Sequence, residues 1–252
     1  WMSTLTASQL QQQYIAYFGR PGDPAGIKYW LSSSSGVSSA REFADKIYAQ
    51  EEYKTSTVGS KSTEEQINGL YLNLFGRQAD ASGLLYWTNQ VEAGILSLSN
   101  IAFDLIAAAS APVSGNETQA ALDAAALANK VAAAEAYTAE VEASTSAILA
   151  YQPESTTPWK TGAAFESAAT YISGIDSSTA HTATGVTTTV SSMTTGSSVS
   201  GSNFTLTTTA NQTTGGADNF TGTAGSDTFL AAASNAFDVG DIVDGKGGVD
   251  TL

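Results

Sequence analysis

The stretch Phe18–Trp30, FGRPGDPAGIKYW, decides the fold of the first part of the chain. It sets three glycines, two prolines and an aspartate between aromatic ends, which is the composition of a tight connection and not of a helix interior. Gly19 can end a preceding helix, and Asp23 followed by Pro24 has the order of an N-cap and a first helical residue. The stretch therefore predicts a compact corner between two helices, with the aromatic pair on the second helix.

The same corner returns 57 residues later as FGRQADASGLLYW, Phe75–Trp87. So many matches at one offset, in uncommon residue types, indicate a duplication. Apolar residues at four-residue steps precede each corner, so each copy is predicted to form a helix-turn-helix unit that starts with a capping box. The matched residues are Thr6, Gln9, Tyr14, Phe18, Gly19, Arg20, Asp23, Gly26, Tyr29 and Trp30 in the first copy, and Thr63, Gln66, Tyr71, Phe75, Gly76, Arg77, Asp80, Gly83, Tyr86 and Trp87 in the second.

The rest of the chain divides by composition. An alanine-rich stretch predicts one long helix or two shorter ones, and a last helix is expected to end at Gly174. After about Ser177 the residues that favour helices vanish, and Ser, Thr and Gly dominate. The expected domains are a duplicated helical corner domain (2–115), an alanine-rich helical extension (116–176), a Ser/Thr/Gly-rich linker with a strand (177–214) and a β-rich tail (215–252).

The overall composition excludes several classes of protein. The 252 residues carry 10 basic and 24 acidic side chains, a net charge of −14 that disfavours nucleic acid as a partner. There is no cysteine, so disulfides and thiolate metal sites are excluded. No apolar run approaches the roughly 20 residues of a membrane span, so no transmembrane segment is expected. The single histidine, His181, has no recognisable catalytic partners, and we expect no enzyme.

The tail repeats a short motif, Gly-x-Asp-x-apolar, as GADNF, GSDTF and GVDTL. The aspartates lie nine residues apart in two pairs, which is the period of a calcium-binding parallel β-roll. A glycine turn exposes backbone carbonyls and the aspartate adds a carboxylate, which together give the oxygen ligands that Ca²⁺ prefers. Ordinary Gly-Asp turns remain the alternative. The candidate ligands are Asp218, Asp227, Asp241, Asp244 and Asp250, and the apolar residues expected to point inward are Phe220, Phe229 and Leu252.

The corners offer candidate glycan contacts. Aromatic rings of the Tyr-Trp pairs could stack on sugar rings, although packing in the core is the other interpretation. The arginine and aspartate of each corner could bind a sugar phosphate, or the arginine could brace the corner by donating to the aspartate or to the carbonyls at the helix end. The candidate glycan-binding residues are Arg20, Asp23, Tyr29, Arg77, Asp80 and Tyr86.

These motifs resemble known families. The duplicated Y-x-x-x-F-G-R-x-x-D-x-x-G-x-x-Y-W is similar to a DUF4214-like bacterial domain of unassigned function, found near the start of large secreted proteins. The stretch DNFTGTAGSDTF, followed by GDIVDGKGGVDTL, resembles the junction into the calcium-binding repeats of RTX-type surface-layer (S-layer) proteins, although Ala217 departs from the glycine of the pattern.

The resemblance implies the N-terminal part of a structural S-layer subunit. Such a protein leaves a Gram-negative cell by type I secretion and assembles with itself, in a calcium-dependent way, into a lattice outside the outer membrane. Its helical region would anchor the lattice to the O-antigen of lipopolysaccharide. An extracellular RTX adhesin or glycan-binding module, and the N-terminal part of a secreted RTX enzyme, remain the alternatives.

Overall fold

A computed structural model of the chain describes residues 5–111, 114–195, 203–206, 219–221, 228–231, 241–244 and 251–252. The chain folds into two compact units, Trp1–Val190 and Ser191–Leu252. The described residues are mainly helical, with short strands of which four lie near the C-terminus. This agrees with the predicted order of a helical region followed by β structure.

The elements follow one another along the chain. The α-helices of the described residues are α1 Ala7–Phe18, α2 Pro24–Leu31, α3 Ala40–Tyr48, α4 Glu51–Lys54, α5 Thr63–Phe75, α6 Ala81–Glu92, α7 Ile101–Ser110, α8 Glu117–Glu142, α9 Thr145–Ala150, α10 Ala163–Ser173 and α11 Ala183–Thr195. A short 3-10 helix covers Ser33–Ser35. The strands are β1 Ser155–Thr156, β2 Trp159–Lys160, β3 Asn203–Leu206, β4 Asn219–Thr221, β5 Thr228–Ala231 and β6 Ile242–Asp244.

Both predicted corners are present. Helix α1 ends at Gly19 and helix α5 at Gly76, with φ angles of 66° and 72° that suit glycine. The side chain of Asp23 accepts a hydrogen bond from the backbone N–H of Gly26 at 2.6 Å, and that of Asp80 accepts one from Gly83. Each aspartate therefore caps the second helix of its copy, α2 or α6.

The capping boxes follow the prediction in one copy only. Thr6 and Gln9 form the box of α1, as expected. In α5 the box is made by Ser62 and Glu65, one residue earlier than the predicted Thr63 and Gln66. Serine and glutamate have the same capping chemistry, so the helix begins one residue sooner without a change of mechanism.

The first helices of the two copies cross at equivalent positions. The side-chain amide of Asn73 donates a hydrogen bond of 2.8 Å to the carbonyl of Ala16, which is its own counterpart in the repeat. Helix α8 packs against α1, α5 and α7, so the alanine-rich helix shares one core with the duplicated helices. The boundary drawn at residue 115 therefore does not separate two cores.

Helix α11 was not predicted, because threonine and serine dominate its sequence. Val186 and Val190 are four residues apart and both are buried. Gly185 lies so close to Tyr171 that a Cβ at this position would come within 3.5 Å of the tyrosine ring. Burial of the two valines outweighs the weak helix propensity of their neighbours, so part of the predicted linker is a packed helix.

The described strands of the second unit form two parallel pairs, β3 with β5 and β4 with β6. Each pair joins strands that are two apart in the order of the chain. Phe229 is buried and packs with Phe204, Phe220 and Val243, so two of the three apolar residues expected inside do pack together. The third, Leu252, is 71% exposed.

No described helix has the length and apolarity that a membrane span requires.

Candidate functional site

The first corner is held by a buried ion pair. Arg20 donates to both carboxylate oxygens of Glu52, at 2.6 and 2.7 Å, and to the carbonyl of Pro21 at 2.9 Å. Burial alone would lower the pKa of the Arg20 guanidinium, but the Glu52 carboxylate raises it above its usual range. Arg20 is therefore a charged brace inside the protein.

Aromatic rings enclose this brace. The Arg20 guanidinium carbon lies 3.6 Å from the ring centre of Phe165 and between 5.3 and 5.8 Å from those of Phe18, Tyr14 and Tyr151. The hydroxyl of Tyr151 donates to the carbonyl of Pro21 at 2.7 Å. The segment that carries Tyr151 and Phe165 thus covers the first corner, and such arginine-ring contacts are favourable in a desolvated place.

The second corner repeats the brace with a different carboxylate. Arg77 donates to both oxygens of Asp123, at 2.7 and 2.6 Å, and to the carbonyl of Gln78 at 3.0 Å. The Asp123 carboxylate raises the pKa of Arg77, through the hydrogen bonds first and the charge second. The Arg77 side chain is 26% exposed against 4% for that of Arg20.

The difference in exposure comes from a cleft. Five pairs of equivalent residues line both corners, namely Tyr14 and Tyr71, Phe18 and Phe75, Arg20 and Arg77, Asp23 and Asp80, and Trp30 and Trp87. At the first corner Tyr151, Trp159 and Phe165 fill the space and leave about 250 Å³. At the second, the walls are small residues such as Ala108 and Ala120, and the cleft measures about 660 Å³.

In each Tyr-Trp pair, one ring packs inside the protein and the other is exposed. Trp30 and Trp87 pack against the core, and the indole N–H of Trp87 donates to the hydroxyl of Tyr71 at 2.9 Å. Tyr29 and Tyr86 are 50% and 55% exposed. Core packing, one of the two interpretations, thus describes the tryptophans, whereas the tyrosines present their rings to the surface.

The two aspartates of the corners act as caps and not as partners of the arginines. The carboxylate of Asp80 accepts from the Ser82 hydroxyl at 2.5 Å and from the Gly83 N–H at 2.8 Å, and these bonds lower its pKa. Of the two brace partners considered from the sequence, the aspartate is wrong, whereas each arginine does donate to a backbone carbonyl, that of the next residue and not that of a helix end. Glu52 and Asp123 hold the arginines, and they lie 32 and 46 residues away, with no common spacing that could have revealed them.

The predicted glycan contacts come together in the second corner but not in the first. Tyr86, Arg77 and Asp80 line the second cleft together. In the first corner Arg20 and Asp23 line the small cleft, whereas Tyr29 does not. A glycan at either place stays a prediction.

The predicted calcium ligands fall mostly outside the described residues. Asp218, Asp227 and Asp250 lie there. Asp241 directly precedes strand β6, and Asp244 is its last residue. Among the described residues, no three His, Cys, Asp or Glu side chains gather in a way that could hold a metal ion. The calcium site stays a prediction.

Comparison with known families identifies one domain. Residues 44–110 match the family described as a domain of unknown function, DUF4214, so the chain contains such a domain. The match covers the second corner with α5, α6 and α7, whereas the first corner, which carries the same motif, lies before it. No curated protein and no solved structure matches the chain significantly.

Proposed function

We propose that this chain is part of a structural surface-layer subunit whose helical unit attaches to the O-antigen of lipopolysaccharide. The observation that carries the proposal is the open cleft of the second corner, with the exposed ring of Tyr86 at its edge. A cleft of about 660 Å³ lies within the range of roughly 300–1,000 Å³ that is typical of small-molecule sites.

The chemistry of the cleft suits a carbohydrate. The rings of Tyr86 and Trp87 offer apolar faces for the C–H side of a sugar ring. Ser82, Asn116 and Asp80, which also line it, offer groups that hydrogen-bond to hydroxyls. Tyr29 presents an exposed ring at the equivalent position of the first copy but does not line the small cleft there, so the proposal assigns the sugar contact to the second corner.

The tail supports the surface-layer part of the proposal. Parallel pairing of β3 with β5 and of β4 with β6 is the arrangement that a β-roll would need. Phe204 pairs with Phe229, 25 residues later, which is longer than two nine-residue repeats, so any roll begins with enlarged turns. Calcium bound at the Gly-x-Asp motifs would order the tail and permit assembly of the lattice.

Retention on cells tests the attachment. The whole chain is mixed with cells that carry O-antigen and with cells that lack it, and bound protein is measured. We expect retention only on the first, and a loss of about tenfold in Tyr86→Ala, which corresponds to about 1.4 kcal/mol. The matched control is Tyr29→Ala, which removes an equally exposed ring that lies outside a cleft. Equal retention on both cell types contradicts the proposal.

Calcium is tested separately. Circular dichroism and hydrogen exchange of the whole chain are recorded with Ca²⁺ and with a chelator. We expect amide protection between residues 215 and 252 only with the ion, because unpaired carboxylates oppose stacking of the turns. Equal protection in both conditions rules out a calcium-ordered tail.

A further inference from the structure

The charges around the second cleft indicate which glycans it can take. Among the described residues that line it, the charged ones are Arg77, Asp80 and Asp123. Arg77 and Asp123 neutralise each other in a two-bond pair. The carboxylate of Asp80 remains, so the lining has a net charge of −1.

Two helix N-termini face this region and would by themselves favour an anion. Each already has a carboxylate of its own. Asp80 caps α6, and Glu117, in the first turn of α8, accepts a hydrogen bond from the N–H of Gly115 at 2.9 Å. Gly115 lines the cleft. These carboxylates therefore offset the partial positive charge of the two helix N-termini, and the surroundings of the cleft stay acidic.

The brace cannot turn to serve an acidic ligand at low cost. Three of the Arg77 N–H groups donate to Asp123 and to the carbonyl of Gln78, and Asp123 also accepts from the side-chain amide of Gln119 at 2.9 Å. Because Asp123 is nearly buried, breaking the pair would leave its charge without a cationic partner. The cationic group of the cleft is thus already engaged.

We infer that the second cleft binds a sugar without an acidic group, and that a sugar bearing an amino group fits it best. This inference rests on the proposed function and names the ligand class of the same site. Hydroxyl and ammonium donors would meet the Asp80 carboxylate, the ring would lie against Tyr86, and a uronate or a phosphate would meet like charge. The acidic chain as a whole, at −14, adds to that discrimination.

Direct binding of simple sugars tests the inference on the whole chain without cells. Glucosamine, glucose and glucuronate are titrated separately and followed by NMR. We expect glucosamine to bind about tenfold more tightly than glucuronate, with glucose between them, and the ratio to shrink as salt is raised. Asp80→Asn should bring the two charged sugars to within about threefold of each other. Asp23→Asn, the same change in the cap of the first corner, should leave the ratio unchanged.

Blocking the cleft tests the location. Ala108 is exposed and lines the cleft, whereas its neighbour Ala107 is exposed and does not. Ala108→Trp should abolish binding of glucosamine, and Ala107→Trp should not. Tighter binding of glucuronate, no binding of any sugar, or equal binding by both tryptophan variants would overturn the inference. Failure of the proposed attachment would show instead as retention that does not depend on O-antigen, whatever the sugar titrations give.

Discussion

The two corners have the same sequence motif and differ in what covers them. In each, an arginine holds a carboxylate by two hydrogen bonds and also donates to the carbonyl of the next residue. The first corner lies under Tyr151 and Phe165, and its arginine is buried. The second lies beside alanine-lined walls and keeps an open cleft. The motif thus forms the arginine brace, and residues outside the motif determine whether the cleft beside the arginine is filled or open.

The largest expected effect is the loss of the buried brace. Arg20→Ala leaves the Glu52 carboxylate inside without a partner and should lower the free energy of unfolding by about 3–5 kcal/mol. The matched change Arg77→Ala should cost less, about 1–2 kcal/mol, because Arg77 borders the open cleft, so water can replace its guanidinium beside Asp123, which also keeps its hydrogen bond from Gln119. Urea unfolding followed by the helical signal measures both. Equal losses would mean that the cover over the first corner does not matter.

The duplicated corners were predictable from sequence because their signals are local. Gly19, Asp23 and their counterparts act on neighbours within a few residues, so spacing alone reveals them. The carboxylates Glu52 and Asp123 could not be predicted, since they reach the arginines only through tertiary packing. For the same reason the sequence did not show that one cleft is filled and the other open, and it missed α11, which two buried valines stabilise.

Removal of the cover should make the first corner resemble the second. Phe165 is buried, with its ring on the Arg20 guanidinium, so Phe165→Ala should lower the free energy of unfolding by about 3–4 kcal/mol. In that background the further change Arg20→Ala should cost less than it does alone, because water then reaches Glu52. A double-mutant cycle by urea unfolding measures the coupling. Strictly additive losses would contradict the role of Phe165 as a cover.

A buried lysine lies where the first helices of the two copies cross. The Lys130 ammonium donates to the carbonyl of Asn73 at 2.8 Å, at the place where α1 and α5 cross. Burial lowers the pKa of Lys130 to about 8, against a partial rise from Asp176. A folded pKa below the ordinary value of 10.5 means that the unfolded chain binds more protons between pH 8 and 10.5, so stability should rise with pH across that window.

We expect this group to add about 2 kcal/mol to the free energy of unfolding between pH 7 and 9.5. The measurement is a set of urea unfolding curves in that range, which stays below the titration of ordinary tyrosines. Lys130→Met keeps most of the length of the side chain and removes the charge, so subtracting its curves removes the contribution of all other groups. If the variant and the original chain respond to pH in the same way, Lys130 is not the source.

The smallest effects distinguish the glycines at the two helix ends. Gly19 and Gly76 both adopt positive φ, so an alanine at either place should cost about 1 kcal/mol from backbone strain. At Gly19 a Cβ would also lie 3.2 Å from the side-chain oxygen of Asn73, the residue whose amide donates to Ala16 where α1 and α5 cross. At Gly76 the nearest atom to such a Cβ is the Cβ of Asp176, at 3.9 Å. Gly19→Ala should therefore lower the free energy of unfolding more than Gly76→Ala.

Gly76→Asn should cost less than Gly76→Ala, because asparagine tolerates the left-handed conformation better. Thermal or urea unfolding of the three variants measures these differences. An equal loss at Gly19 and Gly76 would show that the side chain of Asn73 can move without a loss of stability. The hydrogen bond from Asn73 to Ala16 would then contribute little to the packing of α1 against α5.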